Sequence, residues 1–171
     1  TLAAPGAAGS LGANKAIVLD TTAPTVSDVT TTKGTGGYGT GEVIDIDVEF
    51  NEVVNIVKVG GIVESDVQLK LNVGADRYAN YLSGDGTDTL TFRYTVEAGD
   101  ESARLDHTTV NDLVLAGGVD LQDDVGNDAD RELPALTTSG LYTTNIEISA
   151  VPDYITLTGP ASVTAGVEST D

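Results

Sequence analysis

The sequence predicts an all-β protein built as a sandwich or barrel. Apolar and polar side chains alternate along several short stretches, as in strands that have one face in a core and one in water. These stretches recur about every ten residues, with Gly, Asn or Asp turn signals between them. No segment shows the periodicity of an amphipathic helix.

The N-terminal part of the chain predicts a tail, a short strand and a hinge. Residues 1–14 are rich in Ala, Gly and Ser, which indicates a loop or an extended tail. Residues 15–20 form a short apolar strand, and residues 20–26 (DTTAPTV) then form the hinge. Pro24 fits a strand start or an edge, because proline cannot donate to a central ladder. Residues 26–31 follow as the first strand of the next module.

The centre of the chain carries the clearest strand. Residues 33–41 are so rich in glycine that they predict a turn region, and they lack the Gly-Lys-Ser/Thr ending of a phosphate loop. In residues 42–50, aliphatic residues and Phe50 face one way and acidic residues face the other. Residues 51–52 are then predicted to turn the chain. Further strands are predicted at 53–63 (short, with a bend), 67–73, 89–96 and 113–115, and a last extended stretch at 132–136 and 142–148.

Acidic residues dominate the charge. The chain has 27 Asp and Glu against 8 Lys and Arg, for a formal net charge of −19. It lacks the basic footprint that nucleic acid requires, and anionic membranes repel it. No apolar run reaches the ~18 residues of a membrane span, so we predict no membrane insertion. Two compatible interpretations remain, a solvated acidic surface and divalent cations bound by clustered carboxylates.

No motif indicates an enzyme. The absence of cysteine excludes disulfides, thiolate metal sites and cysteine nucleophiles. His107, the single histidine, is interpreted as a surface or strand-end residue, and no Gly-x-Ser-x-Gly elbow is present. Asp85 and Asp88 belong to a hairpin turn, and no run has the spacing of an EF-hand loop. We therefore predict a non-enzymatic protein.

An internal similarity sets the module boundaries. Residues 2–18 resemble residues 133–147, at a spacing of about 130 residues, and repeats of this kind stack as arrays. Residues 1–20 are therefore predicted to be the closing strand or tail of a preceding repeat. Residues 21–149 form one β-sandwich repeat, and residues 150–171 begin a following β module.

Four short strings occur in order along the chain: 20–24 (DTTAP), 41–50 (GEVIDIDVEF), 94–100 (YTVEAGD) and 121–127 (LQDDVGN). Together they resemble the bacterial Ig-like repeats of very large surface and secreted adhesins, including RTX-type ones, over residues 1–149. The resemblance implies an Ig-like antiparallel β-sandwich of about seven strands with Greek-key connections and parts of flanking repeats. It also implies an extended chain, often rigidified by calcium at its joints. Residues 149–153 (SAVPD) depart from the DTTAP pattern, so a different type of unit is expected to follow.

Cation ligands are predicted at both poles of this sandwich, because chain direction reverses at each strand and alternate loops share a pole. At the N-terminal pole, where the hinge meets the 51–52, 84–86 and 123–128 loops, the predicted Ca²⁺ ligands are Asp20, Asp123 and Asn127, with Asp124 as a spare. At the C-terminal pole, which includes the Asp76 turn, they are Glu42, Asp100 and Asp153. The alternative is an Asx-bonded polar turn at the first pole and capped strand ends at the second.

The sequence leaves three functions open. The first is a structural, adhesive repeat in an extended bacterial surface or secreted protein, with neighbouring Ig-like repeats of the same chain as partners. The second is a self-assembling filament or surface-layer subunit, a homo-oligomer formed by strand exchange at the terminal segments. The third is a glycan or host-surface binding module using Tyr38, Tyr78 and Tyr81, although half-buried strand tyrosines are the alternative interpretation. All three place the protein outside the cell or at the cell surface.

Overall fold

A computed structural model describes residues 3–14, 19–74 and 76–150 of the chain. Two elements of the sequence prediction, the strand at 15–20 and the module from residue 150 onward, lie almost wholly outside these ranges, as does Asp153. Nearly all of the regular secondary structure in the described part is strand, as predicted. Its elements are α1 (Leu11–Asn14), β1 (Val26–Thr31), β2 (Gly36–Tyr38), β3 (Val43–Lys58), β4 (Val67–Leu71), β5 (Arg77–Ser83), β6 (Thr87–Thr95), β7 (Glu101–Ser102), β8 (Leu113–Leu115), β9 (Val119–Gln122), α2 (Gly140–Thr144) and β10 (Ile146–Ser149).

The strands form an antiparallel main sheet and a small second sheet. The main sheet has the order β1-β3-β6-β5-β4-β8, with β9 paired to β3, and it curls into a half-barrel. The second sheet has the order β2-β10-β7, in which β10 runs parallel to β2 and antiparallel to β7. This arrangement is consistent with the predicted all-β sandwich.

The core follows the alternation of the sequence. Ile44, Ile46 and Val48 are fully buried, and Phe50 is 5% exposed. The other strands contribute matching inward rows, so one aliphatic cluster runs through the curled sheet. Its largest fully buried members are Ile44, Ile46, Leu69, Leu71, Leu90, Phe92, Leu105, Leu113, Leu141, Ile146 and Ile148. Because burial of apolar surface is the main driving force of folding, this cluster fixes the positions of the loops at both ends.

The predicted turn at residues 51–52 is wrong, because β3 continues through it as one long strand to Lys58. The strand changes partner at this point. Up to Glu49 it pairs with β6, the register then shifts, and residues 55–58 pair with β9. The backbone groups of the second half therefore remain hydrogen-bonded, and the extended conformation persists. Residues 51–54 lie at the irregularity between the two halves.

Three further segments differ from the prediction. The glycine-rich stretch contains β2, which pairs with β10 more than a hundred residues later in the chain. The segment after Asp76 forms β5, a full strand between β4 and β6. The last extended stretch is interrupted by α2, which Ser139 caps at its N-terminus and which ends at Asn145 in the left-handed conformation (φ 58°). Among the described residues, no helix is long and apolar enough to span a membrane.

Candidate cation site at the hinge

The loops predicted to share the N-terminal pole lie against one another. The Thr25 amide donates to Asn51 Oδ1 at 2.7 Å, which ties the hinge to the middle of β3. The Gly86 amide donates to Val54 O at 3.0 Å, which brings in the turn between β5 and β6. Asn127, in the loop after β9, reaches Thr22 O at 3.2 Å. Three separate segments of the chain, the hinge, the turn between β5 and β6 and the loop after β9, therefore meet near residues 51–54 of β3.

Asp123 is the ordered centre of this region. Its Oδ1 accepts from the amides of Val125, Gly126 and Asn127 at 2.7–2.9 Å, and the residue is 7% exposed. Burial alone would raise the pKa of Asp123, but the hydrogen bonds from Asn127, Val125 and Gly126 outweigh it and hold the pKa below the usual range. Asp123 is therefore ionised and fixed in place. The Asx-type turn that was the alternative to a metal site is present, and it positions the carboxylate.

Asn127 connects this turn to the hinge. Its Nδ2 donates to Asp123 Oδ2 at 2.6 Å and lies 3.3 and 3.2 Å from Asp20 O and Thr22 O. All three partners are acceptors, so the amide nitrogen must face them and the amide oxygen faces away. Asn127 was predicted to supply a ligand oxygen. In this arrangement its amide nitrogen ties two chain segments together, and the ligand role of its oxygen stays a prediction.

Asp20, Glu52 and Asp123 form a triple carboxylate cluster. Each supplies a carboxylate oxygen, and these three oxygens lie within 4.8 Å of one another. Desolvation, with the charges of Asp20 and Asp123, raises the pKa of Glu52 above its ordinary value. Glu52 Oε1 is buried and has no hydrogen-bond partner among the described residues. None of the ion pairs in the described part of the chain involves this cluster.

The cluster fits a hard divalent cation on chemical grounds. It offers carboxylate oxygens from three chain segments, which are the ligands that Ca²⁺ prefers. A buried carboxylate oxygen without a donor is costly, and a cation is the partner that would satisfy it. A small cavity of about 230 Å³ beside the three carboxylates leaves room for an ion and its water ligands.

The C-terminal pole has a different arrangement. Asp100 is 1% exposed, and Arg77 Nε at 2.7 Å, the Tyr94 hydroxyl and the Glu97 amide at 2.8 Å donate to its carboxylate. Burial opposes ionisation, but these hydrogen bonds and the Arg77 charge lower the pKa of Asp100. Glu42 Oε2 accepts from the Gly39 amide at 2.6 Å. Among the described residues, neither carboxylate belongs to a three-membered acidic cluster, and Asp153, the third predicted ligand, lies outside them.

Glu52 is the member of the hinge cluster that sequence reasoning did not select. Its position at the pole was predicted, but it was assigned to a turn. A strand residue at a register shift can direct its side chain toward a loop, and no local pattern signals this. Asp124, the spare candidate, accepts from Asn55 Nδ2 at 2.9 Å and lines the same cavity as the cluster.

His107 is not a surface residue, because it is only 1% exposed. Its backbone forms an isolated bridge with Leu71 at the end of β4, so it does lie at a strand end. The ring Nδ1 is 3.0 Å from Thr109 O, and Asp112 accepts from the Thr108 and Thr109 amides. These local bonds fold residues 107–112 into a compact turn that directs the ring inward. Asp85 accepts from the Ile56 amide at 2.7 Å, a structural role at the predicted hairpin.

Comparison with known proteins adds no relative. No family model, no curated protein and no solved structure matches the chain.

Proposed function

We propose that this chain is a non-enzymatic structural module of an extended bacterial cell-surface or secreted protein. In this proposal, Ca²⁺ bound by Asp20, Glu52 and Asp123 stiffens the junction between the hinge and the β-body, which is the two sheets and their loops over residues 26–149. The observation that carries the proposal is the buried Glu52 Oε1, which lacks a donor and belongs to a side chain that lies in a cluster with two further carboxylates.

The position of the cluster supports a mechanical role. Asp20 belongs to the hinge, whereas Glu52 and Asp123 belong to the β-body. Without a cation, the described contacts that hold residues 20–25 to the β-body include the Thr25–Asn51 hydrogen bond, the two long contacts of Asn127 and a short bridge between Thr25 and Asp130. An ion that ligates all three carboxylates would connect Asp20 to the body directly. Residues 20–23, which few of these contacts reach, would then be held to the body as Pro24 and Thr25 already are by backbone hydrogen bonds.

The composition supports the same role. At a net charge of −19, neighbouring acidic modules repel one another, which favours an extended chain. Cations at the joints would neutralise part of this charge where the modules approach most closely. The donor set contains oxygen only, so it favours Ca²⁺ or Mg²⁺ over softer metals. Ca²⁺ is the better candidate, because it accepts irregular carboxylate geometry and Mg²⁺ demands a near-ideal octahedron.

Thermal unfolding in excess EGTA and in ~10 mM Ca²⁺ tests the proposal, because extracellular calcium sites have Kd values of about 10⁻⁴–10⁻³ M. Saturation at 100 times Kd adds about 2.7 kcal/mol per site that is formed only in the folded state. We expect Tm to rise by several degrees in Ca²⁺, and matched ionic strength from NaCl not to reproduce the rise. An unchanged Tm would reject the calcium site and leave a cation-indifferent spacer.

A matched pair of variants locates the effect. Glu52→Gln removes one charge from the cluster and should abolish the Ca²⁺-dependent rise in Tm. Glu132→Gln removes the same charge from an exposed glutamate outside the cluster and should retain the full rise. If both variants retained the rise, calcium would bind elsewhere on the chain.

A further inference from the structure

A polar groove crosses the outer side of β4, β5 and β6, away from the hinge cluster. Its volume is about 480 Å³, within the usual range of small-ligand sites. Gln68 on β4, Asn80 on β5 and Arg93 on β6 lie opposite one another in a single cross-strand row along it. Tyr78 and Tyr81, two of the three tyrosines singled out from the sequence, both line this groove. The third, Tyr38, lies on β2 in the other sheet.

Every cationic side chain of the groove is already engaged by a carboxylate. Arg93 donates through Nε and Nη2 to both oxygens of Asp45, at 2.7 and 2.8 Å. Arg77 is paired with Asp100 and with Glu97, each at 2.7 Å. The groove therefore offers no free positive charge, in a protein whose net charge is −19. Phosphate, sulfate and other anionic ligands are disfavoured here.

Two side-chain amides provide a fixed pair of neutral hydrogen-bonding groups. Gln68 Nε2 donates to Asn80 Oδ1 at 2.6 Å, which fixes the orientation of both amides. The remaining two atoms, Gln68 Oε1 and Asn80 Nδ2, have no partner within the described residues. One free acceptor and one free donor are therefore held close together. Adjacent sugar hydroxyls, each able to donate and accept, complement such a pair.

The aromatic ring of Tyr78 lies in the next cross-strand row. Lys70 Nζ is 5.9 Å from the ring centroid on the β4 side, and this lysine is paired with Asp76 at 2.8 Å. The ring is therefore braced from β4, and it lines the groove beside the amide pair. An amphipathic ring next to fixed polar groups suits a ligand that has both apolar C–H faces and hydroxyl groups.

We propose that this groove binds a neutral saccharide, with Tyr78 contacting a sugar face and the Gln68–Asn80 amide pair hydrogen-bonding to adjacent hydroxyls. This function goes beyond that of a spacer and does not depend on the calcium site. A module of this kind would contribute adhesion to neutral glycans along an extended chain.

Titration of the ¹⁵N-labelled chain with neutral oligosaccharides tests the proposal. The probes are maltotriose, cellotriose, laminaritriose and mannotriose at millimolar concentrations, with 3′-sialyllactose as the anionic comparison. We expect at least one neutral probe to cause saturable shifts in the amides of β5 and β6 and in the side-chain amides of Gln68 and Asn80. The sialylated probe should bind more weakly than the neutral ones.

The double variant Gln68→Ala/Asn80→Ala should weaken binding by roughly tenfold, because two hydrogen bonds are lost. Thr91→Ala is the matched control. Thr91 lies on the same strand as Arg93 and bonds to Asp47, outside the groove, so binding should be unchanged. The proposal is overturned if no neutral probe causes saturable shifts, if the shifts lie elsewhere, or if the sialylated probe binds best. Each titration is run in EGTA and in Ca²⁺, so a failure here is distinguishable from a failure of the calcium site.

Discussion

Asp100 and Asp123 are two buried aspartates with opposite electrostatic surroundings. Both carboxylates accept backbone amides within a few residues of themselves, and both have a lowered pKa. Asp100 also has the guanidinium of Arg77 at 2.7 Å. Asp123 has two more carboxylates, those of Asp20 and Glu52, within 4.8 Å. At one pole the buried aspartate is neutralised by the protein itself, whereas at the other it lies beside further negative charge.

The comparison shows that the number of carboxylates in a loop does not identify a cation site. Counting acidic residues made both poles candidates. What separates them is whether a neighbouring strand supplies a cation, as β5 does through Arg77 at the C-terminal pole. Glu42, just before β3, lies at one pole, and Glu52, within β3, lies at the other. Ten residues of extended chain separate them by up to about 33 Å. The two carboxylate groups are therefore independent, and each can be perturbed alone.

The largest expected effect is at the neutralised pole. Asp100→Asn replaces a carboxylate oxygen with an amide that cannot accept from all of its present donors, and it leaves Arg77 without its buried partner. Because Arg77 is about one third exposed (32%), we expect a loss near the lower end of the ~3–5 kcal/mol for a broken buried pair, about 3 kcal/mol. Urea unfolding measures this loss, and Ca²⁺ should not restore it.

Asp120→Asn is the control for this substitution, because Asp120 is exposed and takes part in none of the ion pairs among the described residues. It should change the free energy of unfolding by less than about 0.5 kcal/mol. Equal losses in the two variants would show that Asp100 is not a special site and would remove the contrast between the poles.

The next effect has the opposite sign. In EGTA, Glu52→Gln removes one of three mutually repelling carboxylates, so the variant should be more stable than the parent protein. In saturating Ca²⁺ the order should reverse, because the parent gains a ligand that the variant binds poorly. Thermal unfolding of both proteins in both buffers measures this reversal in the order of stability. A variant less stable than the parent in both buffers would mean that Glu52 has an unrecognised favourable partner.

The contributions of Glu52 and Asp100 to the pH dependence of stability should also differ in sign. The pKa of Glu52 is raised above 4.5, so in EGTA its unfavourable contribution is relieved as pH falls through the folded-state pKa toward that value. The pKa of Asp100 is lowered below 3.8, so its favourable contribution is lost as pH falls below that value. Urea unfolding of the parent, Glu52→Gln and Asp100→Asn across this range gives two difference curves. Curves of the same sign would refute the assignment.

The strands were predictable wherever the alternation is local. Ile44 to Phe50 carry their burial pattern in the sequence, because successive side chains of a strand point to opposite faces. The continuation of β3 past Glu52 was not predictable, because it depends on β9, about sixty residues later, taking over the hydrogen bonds. The pairing of β2 with β10 is non-local for the same reason.

The residues of the candidate site differ in the same way, because only those placed by local sequence signals could be predicted. Asp20 and Asp123 could be proposed from the sequence, because strand count places their loops at one pole. Glu52 could not, because its orientation follows from a register shift inside β3. The charge balance at Asp100 also depends on Arg77, which lies on β5. Neither local spacing nor composition indicates that contact.

The smallest expected effect concerns the tie between the hinge and the body. Asn127→Ala removes the long contacts to Asp20 O and Thr22 O and the bond to Asp123, which together should cost only about 1 kcal/mol in EGTA. Local opening of the hinge should increase more visibly, because few other described contacts hold it. Limited proteolysis at residues 19–24 measures this opening, and cleavage should be faster in the variant.

The effect of Ca²⁺ on cleavage shows whether Asn127 is a structural tie or a cation ligand. If the carboxylates alone hold the ion, Ca²⁺ should slow hinge cleavage in Asn127→Ala about as much as in the parent protein, because the ligand oxygens are intact. If Asn127 were itself a ligand, the protection by Ca²⁺ would be lost with it. Asn111→Ala is the control, since its exposed side chain makes no contact with the hinge. The experiment therefore separates a structural tie from a ligand at the pole where the protein keeps its negative charge.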